Sequence, residues 1–579
     1  MVPDRVVRKW EIRRPPSGAA FSPEELGISA LTARILRNRG IEQAAEARKF
    51  LFPALSDLPD PGLLRDMDRA LARISRAVRE RERITLFGDY DVDGTTAIAL
   101  LFLFLKQAGA AVDFYLPHRL TEGYGLNLEA MRKIRAQGSS LLITADCGVS
   151  SREEIRWAKE NGLDVVVTDH HEVPEELPPA EAVLNPKRRD CPYPFKHLAG
   201  VGVAFNLIIA LRRAFRQEGI WTAGAPNLKE YLDLVALGTM SDIVPLKGVN
   251  RILAKVGLEQ LSRSLRPGIG ALKEVAGMDG LPVDSTGLGF RLAPRLNAAG
   301  RLDDSREVIR LLTAEDQASA RAIASRLDAW NTERQRLEGK ILAEAREMIM
   351  AAPWEGKKSL VLSSADWHPG VIGIVASRLI EEFHRPTILI ALTGGRGKGS
   401  GRSIPAFSLY EGLKACRSFI EKFGGHEQAA GLVIQPERIP DFSAAFEENV
   451  AACLREEDFV PRLSIDADVH LREMNASFMA ELEALAPFGA GNPEPVFSVG
   501  QLTVRDSKLV GKGHLRLRLL EGGWTGEAIG FRLGSWHPLS GERMRMAFSP
   551  QIHTYQGRRS LQLKIIDLQP SIENKGSIP

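Results

Sequence analysis

The stretch Ile84–Thr96, ITLFGDYDVDGTT, constrains this chain more than any other. An apolar run of one short strand breaks at Gly88 into three aspartates at alternate positions, and Gly94 then leads into a helix-forming run from Thr95 to Gln107. In extended backbone, residues i, i+2 and i+4 project to one side, so Asp89, Asp91 and Asp93 are expected to converge on one small volume. Carboxylates crowded in that way stay ionised only beside cations. The stretch therefore reads as a metal site at a strand-to-helix crossing.

Downstream, strand and helix alternate: VDFYL from 112, a helix near 127–137, LLITADCG from 141, a helix near 151–161, and DVVVTDHH from 164. Continuously apolar strands are buried on both faces, which predicts a parallel α/β sheet whose carboxyl edge binds ligands. Acids recur at that edge. Asp146 ends LLITAD, Asp169, His170 and His171 end VVVTDHH, and Asp242 follows the apolar segment YLDLVAL.

Asp89, Asp91, Asp93, Asp146 and Asp242, with the imidazole of His170, suffice for two divalent ions sharing a bridging carboxylate. Such a pair, about 3.5–4 Å apart, activates water and holds both oxygens of a phosphoryl displacement. Oxygen ligands with one histidine suit Mn²⁺ or Mg²⁺ better than zinc or copper. Taken singly, an aspartate in a glycine turn is an ordinary turn former, and DYDVDG lacks the GxGxxG of a dinucleotide loop. The joint pattern carries the argument.

With 579 residues the chain exceeds any single core, and a net charge of +3 means that a nucleic-acid surface must be a local patch. Cys147, Cys191, Cys416 and Cys453 form no CxxC pair, which fits a reducing compartment rather than a zinc ribbon or a secreted disulfide framework. The N-terminus has charge without a signal-peptide core, and the greasiest run, AIALLFLFL, is too short to span a bilayer. A soluble cytoplasmic protein is expected.

The expected organisation is an N-terminal helical extension (1–82), a metal-binding domain (83–250), a helical and loop part of the core (251–313), a long helix (314–350), a smaller α/β domain (351–455), a C-terminal β-barrel (456–572) and a tail (573–579). In the extension, Arg65, Arg69, Arg73, Arg76 and Arg83 form a basic stripe that could track phosphates, or simply a solvated helix face. APRLNAAGRLDD reads as a phosphate-contacting loop carrying Arg295, Asn297 and Arg301, unless these arginines pair with Asp303 and Asp304. The long helix would extend about 54 Å. In GGRGKGSGRSI, four glycines are expected to expose amides beside Arg396, Lys398 and Arg402, as phosphate sites do. The barrel interleaves basic and aromatic residues, among them Lys512, Arg516, Arg518, Trp524, Phe531, Arg532 and Tyr555, a pattern that suits unpaired bases.

DYDVDG, ITADCG, VVVTDHH and GTMSD resemble the four ordered motifs of the DHH phosphoesterase superfamily. APRLNAAGR, WHPGVIGIVASR, GKGSGRS, GGHEQAAG and PFGAGNPEP narrow the resemblance to its RecJ-type branch, single-strand-specific 5′ to 3′ exonucleases, over about residues 45–570. Valine in DYDVDG, where many relatives have alanine, leaves all three aspartates in place. The resemblance implies a DHH domain joined by the long helix to a DHHA1 domain, with an OB-type barrel following. It also implies two Mn²⁺ or Mg²⁺ ions, release of 5′-mononucleotides from single-stranded DNA, and work beside a helicase and a single-strand-binding protein, as a monomer and away from membranes. Asn297 and Arg301 would lie near the scissile phosphate, and His171 would orient the phosphate or donate a proton with Asp169 behind it. Arg378, Ser400 and Arg402 would hold the terminal 5′ phosphate, with His426 near the nucleotide. The alternatives are a DHH/DHHA1 phosphodiesterase for short oligoribonucleotides or cyclic dinucleotides, and a scaffold that binds no metal.

Overall fold

The computed structural model describes residues 8–15, 21–117, 122–123, 125–221, 224–351, 356–511, 513–555 and 558–571, without the side chains of 553–555, 558 and 559. Lys512, the tail and the Tyr555 side chain thus lie outside the described residues.

Five parallel strands in the order Ala111–Tyr115, Arg83–Gly88, Leu141–Ala145, Asp164–Thr168, Ala182–Leu184 form the first sheet. Its three middle strands are almost wholly buried because helices cover both faces. The helix Val92–Gln107, flanked by Gly200–Gln217 and Leu232–Ser241, fills one side with uniformly apolar surface. Glycines make the tightest approaches. A Cβ on Gly200 would lie 2.6 Å from Asp146 Oδ1, and one on Gly300 would lie 2.7 Å from the Tyr90 carbonyl.

The long helix runs from Gln317 to Met350, about 51 Å. Ile323 and Leu327 bury into the first domain's core and Ile341 into the second's, so one rigid rod fixes the spacing of the lobes. In the second lobe, Leu360–Ser364 and Thr387–Thr393 pair in parallel, and the antiparallel strands Arg396–Arg402, Ala429–Ile434 and Lys422–Gly425 follow.

The glycine-rich GRGKGSGR is one of those strands rather than a loop of exposed amides. Its backbone is paired on both sides, and Gly397, Gly399 and Gly401 are needed because a Cβ there would come within 2.8–2.9 Å of Ile390, Leu432 or Leu409. Lys398, Ser400 and Arg402 alternate with them and project to the other face.

The C-terminal barrel closes: Phe497–Val510 pairs with both His514–Glu521 and Arg543–Tyr555, while Trp524–Gly530 and Arg558–Pro570 complete the circuit. The N-terminal segment is not a separate appendage. Lys9–Ile12 pairs with Arg462–Ile465, and Phe21, Ile35, Leu36 and Phe50 share one core with Phe478, Phe497 and Phe548 of the barrel. Arg251 ties this unit to the first domain. It is buried, lies 3.7 Å from the Phe50 ring centroid and donates to the carbonyls of Phe50, Ala484, Ala486 and Pro487.

The basic stripe serves the fold. Arg73 is buried against Glu82 and Asp164, Arg76 joins the same pair, and Arg65, Arg69 and Arg83 meet Asp190, Glu181 and Asp113. Its guanidiniums are thus spent on the protein's own acids, and the ordinary reading of that helix holds. Among the described residues, no helix is long and apolar enough to cross a membrane.

Candidate metal centre and substrate cleft

The helix after the first strand starts at Val92, earlier than the sequence suggested, because Asp91 caps it by accepting from the Gly94 N–H at 3.0 Å. Asp93 therefore sits in a helical turn, and the alternation argument fails for it. Asp89 and Asp91 group with Asp146, whereas Asp93 groups with His170 and Asp242, the ligand atoms in each group lying within 4.8 Å of one another. A third group joins Asp146, His170 and His171. Asp146 thus joins the Asp89–Asp91 group to the His170–His171 group, and His170 joins that one to Asp93 and Asp242, so Asp146 stands between the two sets of carboxylates, the place a bridging ligand requires.

Asp146 follows its strand in the left-handed region, φ 63°, a conformation that aspartate tolerates better than most residues. Asp242 is not on a strand edge: it terminates the helix Leu232–Ser241. From there it faces His170, whose Nε2 lies 3.0 Å from Asp146 Oδ1, 3.6 Å from Asp242 Oδ2 and 3.9 Å from Asp93 Oδ2.

Sequence reasoning missed what holds Asp93: the N–H groups of Gly200 and Val201, at 2.6 and 2.8 Å, from the start of the helix Gly200–Gln217. The signal was the glycine-spaced AGVGVAF, where a helix begins without a side-chain cap.

Without a counter-ion this cluster holds protons. Burial and the Asp91 charge push Asp93 up to about 7, burial and the charges of Asp93 and Asp91 push Asp242 up to about 9, and Asp146 is raised well above its ordinary value. Burial and the neighbouring His171 charge push His170 down to about 4, leaving it a neutral donor. His170 Nε2 and Asp242 Oδ2 are buried without a hydrogen-bond partner. Converging oxygens, one neutral imidazole and unsatisfied buried acceptors fit hard divalent cations.

Asp169 is buried and fully used. It accepts from the His170 and His171 backbone N–H groups, from the His171 ring at 2.8 Å and from the Val149 N–H at 2.8 Å. Burial favours neutral His171, but the Asp169 hydrogen bond and charge overcome it and raise the pKa. Asp169→Asn is expected to cost about 10–100-fold in turnover and to shift the alkaline limb of the pH–rate profile to lower pH, since the imidazolium loses its partner. An unchanged profile would contradict the role of Asp169.

The APRLNAAGR segment is a helix, Ala293–Leu302, entered through a π-turn at Leu288–Leu292. Proline in a first helical turn needs no N–H, so Pro294 starts the helix instead of breaking it. Arg295 is engaged within the protein: it donates to Asp328 at 2.9 Å and to the Arg291 and Val275 carbonyls. Asp303 and Asp304 are not its partners. Asn297 is half-buried on the same helix, and Arg301 donates to the Gly370 carbonyl of the second lobe at 3.2 Å.

Across the cleft, a Cβ on Gly373, in the first turn of the helix Ile372–Phe383, would lie 2.8 Å from Ser400 Oγ and 3.1 Å from an Arg402 nitrogen. A helix N-terminus, a hydroxyl and a guanidinium thus meet in one place. Arg378, on the same helix, is paired through Nε with buried Glu338 of the long helix at 2.5 Å. His426 is exposed and contributes, after Lys187, to lowering the Glu172 pKa, so it faces the loop that follows the two histidines.

The chain matches the DHH family N-terminal domain over residues 83–239, the DHHA1 domain over 356–452 and the RecJ OB domain over 465–567. It is 38% identical over 566 residues to the single-stranded-DNA-specific exonuclease RecJ of Bacillus subtilis, covering 96% of this chain and 70% of that one. With the protein of the same name from Haemophilus influenzae it shares 39% over 557 residues, covering 93% and 96%. The crystal structure of RecJ in complex with Mn²⁺ from Thermus thermophilus superposes with a TM-score of 0.83 at 32% identity, covering 99% of this chain and 81% of that one. The Mg²⁺ complex from the same organism gives a TM-score of 0.76, at 30% identity and covering 97% and 78%.

Proposed function

Because this chain belongs to the RecJ family of single-stranded-DNA-specific exonucleases, we propose that its cleft degrades single-stranded DNA from the 5′ end to 5′-mononucleotides, in recombination and repair. The observation that carries this reading is the set of ligand groups joined through Asp146 and His170, together with Ser400 and Arg402 at a helix start in the second lobe, to which Arg301 donates through the Gly370 carbonyl.

Asp89, Asp91, Asp93, Asp146, His170 and Asp242 would hold two Mn²⁺ or Mg²⁺ ions, which supply an activated water and neutralise charge at the phosphoryl oxygens. The chain's own residues do the rest. Asp169 keeps the His171 ring oriented and favours its protonated form, which can orient the phosphate or give a proton to the leaving oxygen. Arg301 and Asn297 border the scissile phosphate from their helix, where the guanidinium offsets developing charge. Ser400, Arg402 and the helix start at Ile372 bind the terminal 5′ phosphate, and Arg378 contributes from the same helix while paired with Glu338. Holding the 5′ end one step from the metals sets direction.

In the barrel, exposed Phe531 with His514, Arg516 and Arg532 forms a face for unpaired bases. A closed barrel sharing its core with the N-terminal helices is more than a short-oligonucleotide phosphodiesterase needs, and an intact ligand set is more than a scaffold needs. Four unbridged cysteines suit the cytoplasm, where a helicase and a single-strand-binding protein would present strands to the monomer.

Arg402→Ala is expected to lower kcat/KM on 5′-phosphorylated strands by about 10–100-fold, the cost of one hydrogen bond to a charged group, and to erase the preference over 5′-hydroxyl strands. Competition kinetics on the two strands checks this; a retained preference would place the 5′ phosphate elsewhere.

A further inference from the structure

A second cavity, of about 360 Å³, lies where the N-terminal helices meet the first domain. Arg39, Lys49, Lys247 and Arg251 line it, and among the described residues none of the four makes an ion pair. Two exposed acids, Glu46 and Asp57, also line it, which leaves a surplus of cations.

Arg39 is 6% exposed, and its Nε and Nη1 have no hydrogen-bond partner; only Nη2 is used, on the Pro493 carbonyl at 2.7 Å. The Asp466 charge acts on Arg39 only from beyond ion-pair distance, and a guanidinium buried in that way is costly. Lys247 is the N-cap of the 15-residue helix Gly248–Ser262, which has no side-chain cap. A cation at a helix N-terminus opposes the dipole, where aspartate or serine would be favoured. Four cations and a positive helix end around one cavity repel one another unless an anion joins them. Burial accordingly pulls Arg39 down to about 10 and Arg251 down to about 9.

The remaining walls are apolar and include the rings of Phe50 and Phe195, the latter packed onto Gly248. The volume lies within the range of small-molecule sites. We propose that this cavity binds the phosphate of a nucleotide, with the aromatic walls receiving its base. That nucleotide is a free 5′-mononucleotide or one residue of a bound strand. Through Arg39 and Pro493 the ligand would also bear on the segment that enters the barrel.

The test uses full-length protein carrying Asp146→Asn and Arg402→Ala, which weaken the proposed metal centre and 5′-phosphate pocket, titrated calorimetrically in EDTA with deoxyadenosine 5′-monophosphate, inorganic phosphate or a single strand of about 30 nucleotides. Lys49→Glu with Lys247→Glu, both exposed positions, and Arg39→Gln are added to that background, with exposed Lys229→Glu as the charge-matched control. The proposal expects the mononucleotide to bind, and at least about a tenfold weakening in the cavity variants but not in the control. Loss confined to the strand would support the same chemistry with the strand as its source. Binding of inorganic phosphate alone, or affinities that the cavity variants leave unchanged, would overturn it.

Discussion

Asp146→Asn lowers turnover at least about 1,000-fold while raising the thermal stability of the metal-free protein. The first effect follows from position. Asp146 belongs to the Asp89–Asp91 group and lies 3.0 Å from His170 of the Asp93–Asp242 group, so its loss is expected to disturb both candidate ion sites, and removing even one electrostatic contact to a developing oxyanion costs about 100–1,000-fold. The second follows from crowding. Asp146 is buried among Asp93, Asp91, Asp242 and Asp89, each of which raises its pKa, so a neutral isostere removes the cost that the metal-free fold bears in keeping this carboxyl protonated. Asparagine also accepts the left-handed backbone at this position. Steady-state kinetics with Mn²⁺, beside thermal melts in EDTA, read the two effects separately. Activity within tenfold of the parent, or a metal-free melt lowered in step with activity, would contradict the shared-ligand assignment.

The stabilisation conferred by Mg²⁺ grows with pH between 7 and 9. In the metal-free fold, Asp93 and Asp242 have pKa values of about 7 and 9, above the ordinary value of 3.8. An unfolded chain therefore releases these protons near pH 4 while the metal-free fold retains them, and stability falls as pH rises toward 9. The metal needs the deprotonated carboxylates, so its apparent affinity rises over the same range. Each proton released on binding adds about 1.4 kcal/mol of metal stabilisation per pH unit. His170 does not blur this window, because its pKa of about 4 lies below it. Melts at fixed free Mg²⁺ and in EDTA, at pH 7, 8 and 9, should show a widening gap. A constant or narrowing gap would mean that these carboxylates are not the ligands.

The sheet and its edge were legible in sequence because both signals are local. ITLF, LLIT and VVVT are apolar or threonine throughout, and Asp89, Asp146 and Asp169 lie one or two residues past these runs, directly after the strands. Asp242 was recognisable by motif, but its place at a helix end was not, since short apolar runs do not distinguish strand from buried helix. Glycine and proline misled twice. Pro294 and Gly300 belong to a helix that needs a first-turn proline and a close approach to Tyr90, and Gly397, Gly399 and Gly401 make room for neighbouring side chains within a sheet.

The joining of the N-terminal helices to the barrel was not legible. Ile35 and Leu36 announce an apolar helix face, but nothing local names a partner more than 400 residues away, such as Phe478. The same holds for Arg73 and Arg295, whose acidic partners, Asp164 and Asp328, are distant in sequence.

The most direct test of the central claim is product length against time, with Mn²⁺, on a 3′-labelled, 5′-phosphorylated single strand of about 30 nucleotides, long enough to reach the barrel as well as the cleft, beside its duplex and a dinucleotide. The account predicts stepwise shortening of the single strand from its 5′ end, with the duplex left intact. Activity confined to the dinucleotide, or internal cleavage without stepwise shortening, would contradict it.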